Sequence, residues 1–132
     1  MAQSPETSAE QFLTANAARP EVTTTASGLQ YEVLEAGSGA RPGPRSMVVT
    51  HYHGTLADGT VFDSSVTRGA PAEFGVHQVI PAWTEALQMM AVGSKWRIAC
   101  PPKLAYGERG AGGVIGPNAA LVFDIHLLDI KN

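Results

Sequence analysis

Two sets of residues in this 132-residue chain have types and spacing that suit chemistry. The first is a group of aromatics on apolar positions with one acid among them. Phe62-Asp63 follows Asp58-Gly59 and precedes Ser64-Ser65, a run that by itself reads as a turn former. Tyr52 and Phe123 sit on apolar strand-like positions and Trp83 on the apolar stripe of a helix-like segment, where aromatics are core unless something else marks them. The second set is polar. His51-x-His53 and Asp124-x-His126 place ligand-type side chains at alternate positions, a spacing that can hold zinc if the two strands are neighbours. Polar residues on the solvated face of a sheet are the ordinary alternative, and no metal site is assigned. Cys100 is the single cysteine, so it forms no internal disulfide or metal framework and reads as a small buried hydrophobe. The glycine-rich GAGGVIG (110–116) is followed by neither a helix signal nor a Lys-Ser/Thr pair, which argues against phosphate binding.

The elements that must position these residues follow from periodicity. Residues 29–34 alternate, with Leu29, Tyr31 and Val33 on one face, and 37–44 is a loop by composition. Residues 47–53 form a second strand, with Val48, Thr50 and Tyr52 opposed to Val49, His51 and His53. Asp58-Gly59 turns it into a returning strand at 60–63. Residues 72–76 form a short strand. Pro81 opens a helix over 81–90 whose stripe is Trp83, Leu87 and Met90. Residues 94–100 turn Trp96, Ile98 and Cys100 inward and Lys95 and Arg97 outward. The last strand, 120–130, opposes Leu121, Phe123, Ile125 and Leu127 to Val122, Asp124, His126 and Leu128. The fold class is α+β, an antiparallel twisted sheet wrapped around one short helix. Residues 1–27 form a polar lead-in with a short helix at most, marked by capping-box spacing at Thr7 and Glu10. Residues 23–27 are a linker, and 28–132 is one domain.

Composition narrows the function classes. Hydrophobic residues are 44% and charged residues 16% of the chain, a ratio that supports a packed core and argues against general disorder. A formal net charge of −3 provides no basic footprint for nucleic acid. No apolar run approaches the roughly 18 residues needed to span a bilayer. Residues 1–11 lack the basic and apolar regions of a signal peptide. With the lone cysteine this makes a reducing cytoplasm the simplest compartment, the alternative being the periplasm or cell surface after removal of a leader.

Three ordered blocks carry a more specific signal: VVTHYHGTLADGTVFDSS (48–65), VIPAWTEALQMM (79–90) and LAYGERGAGGVIGPNAALVFDIHLL (104–128). Together they resemble the FKBP family of peptidyl-prolyl cis-trans isomerases over residues 28–130. The lead-in 11–37 is similar to that of the bacterial branch containing the macrophage infectivity potentiator proteins. The resemblance implies an enzyme that rotates X–Pro bonds and assists protein folding, with no cofactor. A non-catalytic module or chaperone gripping proline-containing segments through the same pocket is the alternative. It implies a substrate pocket formed by Tyr52, Phe62, Asp63, Val79, Ile80, Trp83, Tyr106, Ile115 and Phe123. Asp63, Tyr106, Trp83 and Phe62 would carry catalysis. Trp83 would floor the proline ring, Asp63 would meet the carbonyl before proline, and the Tyr106 hydroxyl and Ile80 N–H would hold peptide carbonyls. Arg68 matches a basic residue that orients the acid. The implied partners are proline-containing polypeptides, with the macrolides tacrolimus and rapamycin as inhibitors. The helical dimerisation segment of longer members is not among these residues, so a monomer is expected. Departures from small eukaryotic members are Ala72 for an aromatic, which opens the pocket, Ala82 for Gly before the Trp, and Ala111 for His.

Overall fold

The computed structural model describes residues 5–57, 59–107, 110, 115 and 119–131, and side chains from Ala9 onward. Period-two burial decides the sheet. Strand β2 (Gln30–Glu35), β3 (Met47–Leu56), β6 (Lys95–Cys100) and β7 (Leu121–Lys131) form its central path, joined by β4 (Val61–Ser64), β5 (Ala72–Gly75) and the two-residue β1 (Thr23–Thr24). The order is β1-β2-β6-β7-β3-β4, and every pairing is antiparallel. β4 and β5 share the outer edge of β3: β4 pairs its second half and β5 its first. The four-residue helix α2 (Ser65–Arg68) lies between them.

The inner face is apolar. Val48 and Tyr52 of β3, Trp96, Ile98 and Cys100 of β6, and Leu121, Phe123, Ile125 and Leu127 of β7 are buried there. Helix α3 (Pro81–Met89) lies against this face with Ala82, Trp83, Ala86 and Leu87 buried. Pro81 stands at the first helical turn, where its missing N–H costs nothing, and the Ile80 carbonyl accepts the N–H groups of Trp83 and Thr84 at 3.0 and 3.1 Å. The expected fold class therefore holds. Met90 is buried just past the helix end, completing the stripe.

Several local expectations differ from what is found. Helix α1 (Pro5–Ala17) is thirteen residues long and starts at Pro5, so Thr7 lies inside it rather than at its cap. It also docks on the outer face of the sheet. Gln30 donates to the Leu13 carbonyl at 2.9 Å and accepts from Asn16 at 2.7 Å, while Arg19 pairs with the buried Glu32 at 2.9 Å. Residues 23–27 are not wholly linker, because Thr23 and Thr24 pair with Tyr31 and Gln30. Val33 faces the side of Trp96 yet is 49% exposed, since the sheet edge there is uncovered. Helix α2 has no sequence period to reveal it. It is defined by Ser64, whose hydroxyl caps Thr67 N–H at 3.2 Å, and by Gly69, which ends it in the left-handed region at φ 76°. Asp58 of the expected turn and Ala111 of the glycine-rich loop lie outside the described residues.

Candidate active site

Strand β3 places Tyr52 inward, and its ring meets Trp83 edge-to-face at 5.3 Å. Trp83 comes up from α3, only 4% exposed, and meets two further rings edge-on, Phe74 at 5.3 Å and Phe123 at 5.4 Å. Such T-shaped contacts align positive ring edges with negative faces and hold each ring in one orientation. Phe62 completes the wall, perpendicular to Phe123 at 5.5 Å. These five aromatics surround a cavity of about 430 Å³ that Val79, Ile80 and Tyr106 also line.

Asp63 stands at the rim of this cavity, and a β-bulge explains how. On β3, Gly54 faces Asp63 and Thr55 faces Val61, so Phe62 is an extra residue on β4. In a regular strand Phe62 and Asp63 would point to opposite faces. The bulge aims both at the same cavity. Gly54 is required opposite them, because a Cβ there would lie 2.8 Å from Phe62 Cζ and 2.9 Å from Phe123 Cε1.

The acid belongs to a closed triad. Tyr52 Oη donates to Asp63 Oδ2 at 2.6 Å, Arg68 Nη1 donates to Asp63 Oδ1 at 2.5 Å, and Arg68 Nη2 donates to Tyr52 Oη at 2.8 Å. Burial alone would raise the Asp63 carboxyl, but the hydrogen bonds from Tyr52 and Arg68 and the guanidinium charge hold it below the usual carboxylate value. Burial and the hydrogen bond to Asp63 raise the Tyr52 phenol. At neutral pH the site therefore holds a carboxylate, a neutral phenol and a guanidinium. Arg68 reaches them because α2 follows β4 directly. Ser64 caps that helix, and buried Ser65 Oγ accepts Tyr52 N–H at 2.7 Å, so β3, β4 and α2 are tied at one point.

Eight of the nine site residues expected from sequence line this cavity: Tyr52, Phe62, Asp63, Val79, Ile80, Trp83, Tyr106 and Phe123. Tyr106 is 40% exposed at the mouth. Ile115 is 7% exposed and belongs to the core cluster that includes Tyr52, Trp83 and Phe123, but does not itself line the cavity. Three contributors were not singled out. Phe74 shares the alternation of Ala72 on a short strand, Gln78 follows it on a 3₁₀ turn, and both line the cavity. Gly54 interrupts the apolar alternation of β3, the usual mark of a close approach.

The histidines fall on the opposite face, as their spacing implied. Register sets His51 across from His126 and His53 across from Asp124. Among the described residues no group of three or more His, Cys, Asp or Glu side chains is arranged to hold a metal.

Against known proteins, residues 39–128 match the family model described as FKBP-type peptidyl-prolyl cis-trans isomerase, and 1–33 match that of the domain amino-terminal to it. The chain is 57% identical over 122 residues to the FKBP-type peptidyl-prolyl cis-trans isomerase FkpA of Aeromonas hydrophila, covering 92% of this chain and 45% of that protein. It is 53% identical over 122 residues to the outer membrane protein MIP of Legionella longbeachae, covering 92% and 52%. It thus spans about half the length of these relatives. The crystal structure of FkpA from Escherichia coli superposes with a TM-score of 0.92 at 44% identity, over 96% of this chain and 59% of that one. A peptidyl-prolyl cis-trans isomerase from Pseudomonas syringae superposes at 0.91 with 35% identity, over 100% of both. The Legionella longbeachae relative overturns the cytoplasmic expectation, since it is named an outer membrane protein. The lone cysteine was a poor guide for a physical reason: Cys100 is fully buried, and desolvation pushes its thiol far up, so it stays unreactive in either redox setting.

Proposed function

This chain belongs to the FKBP-type peptidyl-prolyl cis-trans isomerase family, and we propose from that premise that its domain rotates X–Pro bonds of polypeptides within the aromatic cavity. The observation that carries the reading is the charged triad of Tyr52, Asp63 and Arg68 at the rim of a pocket floored by Trp83. Rotation must overcome amide resonance, a barrier of ~18–20 kcal/mol. A turnover of order 10³ per second requires removing about 6 kcal/mol of it. Nothing is displaced, so no nucleophile is required. As the amide twists, the nitrogen lone pair withdraws from the carbonyl, which loses dipole and leaves its carbon more positive. A dry aromatic cavity favours the less dipolar form, and a fixed carboxylate beside that carbon stabilises its growing charge. Arg68 and Tyr52 hold Asp63 in its ionised state and in place, so little reorganisation is needed when the bond turns. Phe62, Trp83 and Tyr106 act with Asp63 in catalysis, while Tyr52, Val79, Ile80 and Phe123 shape the walls and Ile115 supports them from the core.

Among the described residues the cavity is lined by no basic side chain, and Arg68 beside its rim is engaged by Asp63. Peptides with Leu before proline are therefore turned over faster than those with Glu. A protease-coupled assay comparing Leu-Pro and Glu-Pro peptides tests this, and rates no greater than the spontaneous ones would remove the catalytic reading and leave a binding module. The domain unit is residues 28–132, with α1 as a docked lead-in. By its likeness to the Legionella longbeachae relative, the protein works outside the cytoplasm on unfolded or exported chains.

A further inference from the structure

The outer face of the sheet carries a second concavity of about 400 Å³, lined by His51 and His53 of β3, Asp124 and His126 of β7, Lys95 of β6, and Val66 of α2. Helix α1 and the turn after it cover the β2 side of this face, Leu13 and Asn16 meeting Gln30 and Arg19 meeting Glu32, and they do not line the concavity. Two cross-strand rows define its chemistry. In one, Arg97, Asp124 and His53 lie side by side, and Asp124 is taken up by Arg97 through bonds of 2.7 and 3.2 Å. In the other, Lys95, His126 and His51 lie side by side with no acid between them. Glu35 stands across from Lys95 on β2, and Glu32 lies 3.9 Å from Arg97. Arg68 of α2 is bound to Asp63. Among the described residues none of these carboxylates forms an ion pair with Lys95 or with any of the three imidazoles. Two of the rings are already oriented, His51 Nδ1 lying 2.9 Å from Ser65 Oγ and His53 Nδ1 2.9 Å from Ser64 Oγ, which leaves each Nε2 for a ligand.

We propose that this groove binds an acidic polypeptide segment, taking its carboxylates on Lys95, His126, His51 and His53. Among the described residues the one acid lining the groove is already paired with Arg97, so Lys95 and the imidazoles are left to an incoming carboxylate. Nucleic acid fits poorly, because it needs several cations and, among the described residues lining the groove, Lys95 is the single lysine or arginine. Val66, 60% exposed at the rim, offers an apolar contact for the segment's aliphatic stems. Tyr52 lines both this groove and the aromatic cavity, whereas Lys95, His51, His53 and His126 line the groove alone, so occupation is followed at the imidazoles without reference to turnover.

The test titrates acetylated hexaglutamate into the intact chain at low salt and neutral pH, following the carbon-bound imidazole proton resonances. Saturable shifts of His51, His53 and His126 are expected, and added salt should weaken the binding several-fold. Hexaglutamine should leave them unmoved. Lys95→Gln and His126→Gln should each weaken binding several-fold while isomerase activity is unchanged. Equal shifts with hexaglutamine, affinity independent of salt, or binding that survives both substitutions would overturn the proposal. So would resonances that respond to zinc ions alone.

Discussion

Replacing Asp63 by Leu separates the charge of the rim from its shape. The substitution removes the acceptor of two bonds, from Tyr52 at 2.6 Å and from Arg68 at 2.5 Å, while Arg68 can still reach Tyr52 at 2.8 Å. Each charge-assisted hydrogen bond is worth about 1.5–3 kcal/mol where it acts on the rotating amide. That corresponds to a fall in kcat/KM of roughly tenfold to a hundredfold. Stability should change far less. The side chains of Asp63 and Arg68 are 44% and 52% exposed, so solvent screens their ion pair and it adds little to stability. Asp63→Asn keeps the outline and loses the charge, and its rate should fall nearly as far. The pH profile gives an independent check. Because the folded carboxyl lies below the ordinary value, its contribution is complete above the unfolded value of about 3.9 and disappears as pH falls through the lower folded one. Neither the rate nor the stability should therefore show an Asp63-dependent step between pH 5 and 8. The assay is kcat/KM on a Leu-Pro peptide beside a urea midpoint for each variant. Full activity in Asp63→Leu would refute the electrostatic role and leave the aromatic walls to account for catalysis.

Gly54→Ala should lower kcat/KM more than it lowers the urea midpoint, because the new methyl drives into Phe62 and Phe123, both cavity walls; kinetics and denaturation on one preparation compare the two. Thr50→Val should raise the urea-derived stability by about 1 kcal/mol, since Thr50 Oγ1 is buried with no hydrogen-bond partner among the described residues and Val replaces it at nearly equal volume. Tacrolimus should quench tryptophan fluorescence saturably in a Trp96→Phe background, where Trp83 on the cavity floor is the remaining reporter. Phe should be tolerated at 96 because the indole stacks flat on Tyr31 at 4.4 Å, and the absence of saturation at high micromolar ligand would count against the pocket.

The parts of this fold that were legible in the sequence are those governed by a repeat. Alternation at Val48, Thr50 and Tyr52, and again at Leu121, Phe123, Ile125 and Leu127, gave β3 and β7 and their buried faces. Pro81 with the Trp83–Leu87 spacing gave α3. What was not legible depends on contacts between distant segments. The extra residue at Phe62 breaks a period without any compositional mark, so the common aim of Phe62 and Asp63 emerged only from register. Helix α1 is mostly polar and is held by Asn16, Leu13 and Arg19 reaching Gln30 and Glu32, polar pairings that no hydrophobic stripe announces. Helix α2 is shorter than any periodic signal, although it carries Arg68 to the acid. The wall residues themselves came from family resemblance, because an inward aromatic looks the same in sequence whether it lines a cavity or fills a core.

The two sides of β3 carry separate messages in one reading frame. Tyr52 and Gly54 shape the aromatic cavity, while His51 and His53, interleaved with them, furnish the groove behind it. Tyr52 borders both hollows, whereas His51 and His53 border the groove alone, so the histidine positions are free to diverge without recasting the cavity along the same ten residues. Insertions are another matter. A single residue added between Thr50 and His51 would exchange the phases, carrying imidazoles into the cavity and turning the phenol that holds Asp63 out to water. Natural variation along this strand should therefore consist of replacements and not of changes in length.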